Sequence, residues 1–171
     1  MKKKVITLFA SFFVLLIIYF LYPEKRLPAT TKINKLVVFK SKRKLLAYSN
    51  KEIVKEYVIS LGGNPKGHKQ FEGDNKTPEG IYFISGKAPH HIFHKYLHVS
   101  YPNAADIRFA KKSGKSPGGQ ILIHGLNKKF SFLKKFHRWY DWTRGCIAVT
   151  DAEIDELYSA VEVGSKIEIY P

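Results

Sequence analysis

Apolar positions fall along this 171-residue chain in two rhythms. The first is a block. Residues 5–21 are apolar except Thr7 and Ser11, with Tyr19 and Tyr22 toward the far end. A run of that length lies between a long secretory h-region and a minimal membrane span. After it the rhythm shortens to that of strands. Residues 36–39 and 45–48 are apolar-rich and separated by the polar 41–44, and a third such stretch, 53–61, follows Ser49-Asn50-Lys51. The pattern predicts an antiparallel meander. Residues 62–67 read as a loop, and Thr77-Pro78-Glu79-Gly80 as a turn feeding a strand at 81–84. Further strands are expected at 97–100, 120–123 and 147–149, with 102–119 irregular. One helix is expected after the N-terminal block. Thr150 followed by Glu153 is a capping-box pattern, and Ile154, Leu157, Tyr158 and Val161 share one helical face. Gly164 is expected to stop it, and 166–170 to form a last strand. The sum is a mostly β domain, a sandwich or barrel, with one late helix.

The flanks of the apolar block decide how it is read. Lys2, Lys3 and Lys4 precede it; Tyr22-Pro23-Glu24-Lys25-Arg26 follows, with no small-x-small cleavage triplet. This predicts an uncleaved signal anchor over a cleaved signal peptide. The expected organisation is a basic segment at 1–4, a transmembrane helix at 5–22, a tether at 23–34 and a folded domain at 35–171. The protein would then cross the cytoplasmic membrane once, with its domain on the extracytoplasmic side.

Composition narrows the class. Apolar residues make up 44% and aromatics 14%, enough for a packed core. The formal charge of +15 favours anionic partners such as acidic lipid or a carboxylate-rich polymer, and agrees equally with simple solubility. Neither a zinc-finger spacing nor an RNA-binding strand motif accompanies that charge, so no nucleic-acid partner is expected. His68, His90, His91 and His94 invite a metal reading, but His90-His91-x-x-His94 lacks the acidic partner and helical context of a zinc-protease motif. No metal or other cofactor is expected, and the chain should act as a monomer.

The single cysteine changes the picture. An exported protein with a lone Cys146 has no internal disulfide, so the thiol is either buried and inert or used. Its setting favours use. Ile123-His124-Gly125 ends one strand, and Thr143-Arg144-Gly145-Cys146 enters another. A thiolate is a strong nucleophile but the free thiol is mostly protonated, so a neighbouring imidazole is needed to take the proton. Gly145 leaves the preceding backbone free to adopt unusual dihedrals, and N–H groups there can point at a developing oxyanion.

The His-Gly and Thr-Arg-Gly-Cys-Ile segments together resemble the signature of the YkuD-type L,D-transpeptidases. The likeness extends to Thr77-Pro78-Glu79-Gly80, to Ser100-Tyr101-Pro102-Asn103, to Pro117-Gly118-Gly119 and to 137–143, and covers about residues 35 to 171. The resemblance implies that Cys146 attacks a peptidoglycan tetrapeptide stem, expels the terminal D-Ala, and passes the acyl group to an amine of another stem in a 3→3 crosslink. It implies His124 as base, oriented by a backbone carbonyl, and Gly145 and Cys146 N–H groups as oxyanion donors. Hydrolysis of the same bonds, or a catalytically silent wall-binding module, are the alternatives. Two departures bear on substrate choice: Ala148 stands where many members carry Arg, and a long basic-aromatic loop, 128–142, separates base from nucleophile.

Other residues are weighed individually. Arg144 and Thr143 beside the nucleophile, and Tyr101, Asn103 and Trp142, are candidate substrate-binding residues. Turn formation accounts for Asn103 nearly as well, and a capping role does so for Asp106. Arg138 is read equally as a carboxylate partner or a surface charge. Trp139 could stack on substrate or pack the loop, and His98 is expected to be structural.

Overall fold

The computed structural model describes residues 2–90 and 92–171; Met1 and His91, the latter one of the candidate metal histidines, lie outside the described residues. Helix α1 (Lys2–Leu21) is followed by β1 (Ile33–Phe39), β2 (Lys44–Ser49) and β3 (Glu52–Val58), the expected meander. Then come β4 (Gly80–His90), β5 (His94–Val99), α2 (Ala104–Lys112), β6 (Leu122–His124), a 3-10 segment (Lys128–Trp139), β7 (Ile147–Ala148), α3 (Asp151–Ala160) and β8 (Val161–Tyr170). The strands form one curled sheet in the order β3-β2-β1-β8-β4-β5-β6-β7.

Two features bend this sheet into a nearly closed shape. β4 is long enough to pair with β8 through its first half and with β5 through its second, with a register shift between Ile84 and Gly86. Such irregularities sharpen local twist. The two ends of the strand order then meet. Ser60, just past β3, exchanges backbone hydrogen bonds with Ala148 of β7 at 3.0 and 2.9 Å. Gly62 bridges to Thr143 in the same seam. Inside lie Leu36, Val38, Leu45, Tyr57, Ile59, Leu61, Leu97, Ile123, Ile147, Ile154, Leu157 and Ile167. The alternation that predicted strands is thus the pleat, with its inward residues meeting at the centre.

Three expectations are corrected. Residues within the supposedly irregular 102–119 form α2, started by an Asn103 capping box with Asp106. Its stripe is weak because only Asp106 and Ala110 are buried, so hydrophobic periodicity could not reveal it. The basic-aromatic loop contains the 3-10 segment. α3 ends at Ala160, four residues before Gly164, because Val161 already pairs with Ile33 of β1. Gly164 lies inside β8 at φ +94°.

Candidate active site

β6 and β7 run parallel, with Ile123 opposite Ile147 and His124 opposite Ala148. Pleating puts alternate residues on one face. Cys146, immediately before β7, therefore shares a face with His124, two residues away along the neighbouring strand. Standard spacings place their Cα atoms roughly 8 Å apart, within reach of an imidazole and a thiol pointing toward one another.

His124 is buried and its ring is fixed. Its Nδ1 lies 2.6 Å from the Gly125 carbonyl oxygen. A carbonyl can only accept, so Nδ1 carries the proton and Nε2 is the basic nitrogen. Phe93 packs at 4.5 Å between ring centroids, and Trp142 meets the ring edge-on at 5.7 Å. Gly125 permits this crowding, because a Cβ there would come within 2.6 Å of Asp151 Oδ1 and 3.1 Å of the Phe93 carbonyl oxygen.

The turn before Cys146 is wedged into the closure seam. Thr143 N–H donates to the Leu61 carbonyl at 3.1 Å. Gly145 sits at φ +127°, and a Cβ on it would lie 2.6 Å from the Lys76 carbonyl oxygen. No other residue type fits that combination. Asp141 braces the seam, accepting from Leu61 N–H at 2.9 Å and from both Nε and Nη2 of Arg43. The thiol is half-buried, with Sγ 3.6 Å from the Gln120 carbonyl oxygen. Burial pushes its pKa up, while the Leu122 N–H and the positive charge of Lys69 pull it down.

The other predicted site residues separate. Arg144 is exposed, two residues before Cys146. Trp142 orients His124. Thr143 is buried, and its hydroxyl donates to the Cys146 carbonyl at 2.7 Å while accepting from Gly145 N–H at 3.1 Å. It shapes the turn rather than facing substrate, and in this state it occupies the Gly145 N–H expected as an oxyanion donor. Tyr101 is 3% exposed, donates to the Pro117 carbonyl and packs against Tyr82, so it belongs to the core. Asn103 spends its side-chain oxygen on the α2 cap. Asp106, buried, accepts from Tyr82 and Asn103. His98 contacts Ser85, outside the His124 clamp. Arg138, read as a surface charge or a carboxylate partner, is buried between Glu24 and Glu153 at 2.7 Å from each.

Two contributors escaped the sequence reading. Lys69 is 3% exposed, held by Asp74 at 2.8 Å and the Phe71 carbonyl at 3.0 Å, and it acts electrostatically on Cys146. Asp74 also accepts N–H bonds from Gln70, Phe71 and Lys76, which folds this loop over the site. Phe93 supplies the face on which His124 rests. A loop lysine and a lone aromatic carry no periodic signal.

Comparison with known proteins places this geometry in context. The model of the YkuD L,D-transpeptidase catalytic domain matches residues 33–169. The Escherichia coli K12 protein named "Putative L,D-transpeptidase YafK" is 26% identical over 147 residues, covering 78% of this chain and 52% of that protein. The helical cell shape determining protein Pgp2 from Campylobacter jejuni superposes with a TM-score of 0.60 at 26% identity, over 82% of this chain and 48% of that one. An L,D-transpeptidase from Xylanimonas cellulosilytica shares the fold at 14% identity and a TM-score of 0.52, over 86% and 65% of the two chains. The chain spans about half the length of the curated relatives it matches.

Proposed function

Because this chain belongs to the YkuD L,D-transpeptidase catalytic domain family, we propose that it is a cell-envelope acyltransferase acting on peptidoglycan stem peptides, with Cys146 as nucleophile and His124 as base. The observation that carries this reading is the pairing of β6 with β7, which sets the carbonyl-locked imidazole and the thiol on one face.

The steps follow from the groups present. His124 Nε2 takes the thiol proton as Sγ attacks the stem carbonyl, so the charge on sulfur never has to persist unpaired. The tetrahedral oxyanion is met by the Cys146 N–H, and the Gly145 N–H joins once it leaves Thr143 Oγ1. The protonated imidazole then gives its proton to the departing D-Ala amine, the C–N bond breaks, and a thioester remains. An acceptor amine attacks that thioester and loses its proton to Nε2. Collapse expels Sγ, which recovers the proton, leaving a new amide. Lys69 stabilises the anionic sulfur, and exposed Arg144 offers its guanidinium to a stem carboxylate. Helix α1 is the proposed anchor, and the domain the extracytoplasmic part.

One feature favours a second reading, hydrolysis of the same acyl-enzyme. Ala148 is fully buried against Ser60. The place where many members carry Arg thus provides no cation to hold an acceptor, and water competes.

The test is incubation of the purified protein with disaccharide-tetrapeptides, followed by mass analysis. Crosslinked dimers mean transfer; tripeptides alone mean hydrolysis. Cys146→Ala should abolish both products and any carbapenem adduct while keeping the native circular dichroism. Turnover persisting in that variant would end the proposal.

A further inference from the structure

Helix α1 does not stand apart from the domain. Its residues 4–21 form a stretch of mean hydropathy 2.4, with none of it buried, long and apolar enough to cross a membrane. Its last turn is docked on the 3-10 segment. Phe20 stacks on Phe136 at 5.4 Å, and Tyr19 packs on Phe136 and Trp139 at 6.0 and 6.1 Å. Lys135, buried, donates to the Tyr19 and Tyr22 carbonyl oxygens at the helix C-terminus, where a cation is favoured. Glu24 continues the attachment through buried Arg138 to Glu153 of α3.

Part of the 3-10 segment and its C-cap stay exposed beside the helix. Phe130, Phe132, Trp139 and Tyr140 are 55%, 68%, 63% and 73% exposed. Lys128, Lys129 and Lys134 are exposed among them. Phe132 and Leu133 line an apolar groove together with Phe13, Leu16, Ile17 and Phe20 of α1. A bilayer around α1 therefore meets the 3-10 segment as well. Phe13 stands eight residues before the helix end, about 12 Å along the axis. Aromatic rings with lysines among them are the chemistry of the headgroup boundary, where rings enter the acyl region and ammonium groups meet lipid phosphates.

We propose that the 3-10 segment Lys128–Trp139 is an interfacial membrane-binding element that lays the domain on an anionic bilayer surface beside α1. This rests on α1 being a membrane anchor. Three residues past the end of the 3-10 segment, Trp142 touches His124. The seated segment therefore sets the distance of the base from the lipid surface, and the domain does not swing freely on a tether.

The test uses the full chain in vesicles of phosphatidylcholine and phosphatidylglycerol, made with lipids brominated at shallow or deep acyl positions. The two tryptophans are Trp139 and Trp142, and only Trp139 is on the exposed face. Shallow bromines should quench at least half of the emission, and Trp139→Phe should remove most of that quenching. If the chain resists carbonate extraction from vesicles yet its emission is unquenched, or is quenched equally in Trp139→Phe, the interfacial seat is wrong and the anchor stands. If carbonate releases the chain, both the anchor and the seat fall. In each case the stem-peptide assay reads the chemistry separately.

Discussion

At the scale of single residues, the site solves a conflict between burial and charge. Burial raises the Cys146 pKa, which disfavours a stored thiolate, and the proposed mechanism makes the thiolate during attack. The imidazole is prepared for that: the Gly125 carbonyl holds its proton on Nδ1 and two aromatic rings hold its plane. His124→Ala should slow acylation by a carbapenem by roughly two to four orders of magnitude, the usual scale for a lost general base. The two pH profiles should also differ. Wild-type acylation falls on the acid side as the coupled pair becomes fully protonated. The variant has no base, so its rate should climb with pH toward the raised thiol pKa. Superimposable profiles would remove His124 from the mechanism. Gly145 makes a second case. Alanine there adds a Cβ at φ +127° and 2.6 Å from a backbone oxygen, a contact that cannot relax by rotating a side chain. The dihedral alone costs roughly 2 kcal/mol. Gly145→Ala should lower the urea midpoint and abolish the carbapenem adduct together, whereas Gly114→Ala, which meets nothing within 4 Å, should keep the adduct.

At the scale of elements, short strands work because neighbours complete them. β6 has three residues and β7 two, too few to be stable alone, yet β6 ends on His124 and β7 begins directly after Cys146, the proposed base and nucleophile. α3 braces them from behind, packing on β5 and β6. Its capping box does more than start a helix. Glu153 accepts from Thr150 N–H and its hydroxyl at 2.9 and 2.8 Å, and from Arg138 at 2.7 Å. Thr150→Ala removes the cap and a hydrogen bond to a buried carboxylate, and should cost roughly 1–2 kcal/mol. Denaturant unfolding measures this, and a loss within experimental error would show that Arg138 alone holds Glu153. The capping box was legible from two residues three apart. The α2 cap was equally local, but the segment lacked an apolar stripe and so read as a loop.

At the scale of the whole molecule, closure of the sheet brings together groups distant in sequence and buries some that titrate. His137 hydrogen-bonds Ser60 in the seam. Burial lowers its pKa from 6.5 to about 4, helped by the nearby charges of Arg138 and His124. Between those values the unfolded chain binds a proton that the folded chain refuses. Stability should therefore fall as pH drops from about 6.5 and level off below about 4, with a loss of roughly 3 kcal/mol from this group. Urea midpoints of wild type and His137→Gln at pH 7 and 4.5 check it. The wild type should lose more on acidification, and equal losses would show that His137 is protonated without cost.

What the sequence determined by itself is whatever depends on near neighbours. The apolar block, the strand alternation of the meander, the Thr150 cap and the paired His-Gly and Gly-Cys segments are all written within a few residues, and each was read there. Tertiary structure decided the rest, because its causes lie far apart along the chain. The Ser60–Ala148 seam ties down the strand that follows the thiol turn, and the 62–76 loop carries Lys69, whose charge acts on the sulfur. Tyr82 and the Pro117 carbonyl draw Tyr101 inward, and sheet pairing ends α3 at Ala160. Pairing with Glu24 and Glu153 holds Arg138, which composition would leave in solvent, in the interior. Strand pairing and burial are long-range, so residues of identical local pattern become core, cap or catalyst only when the sheet closes.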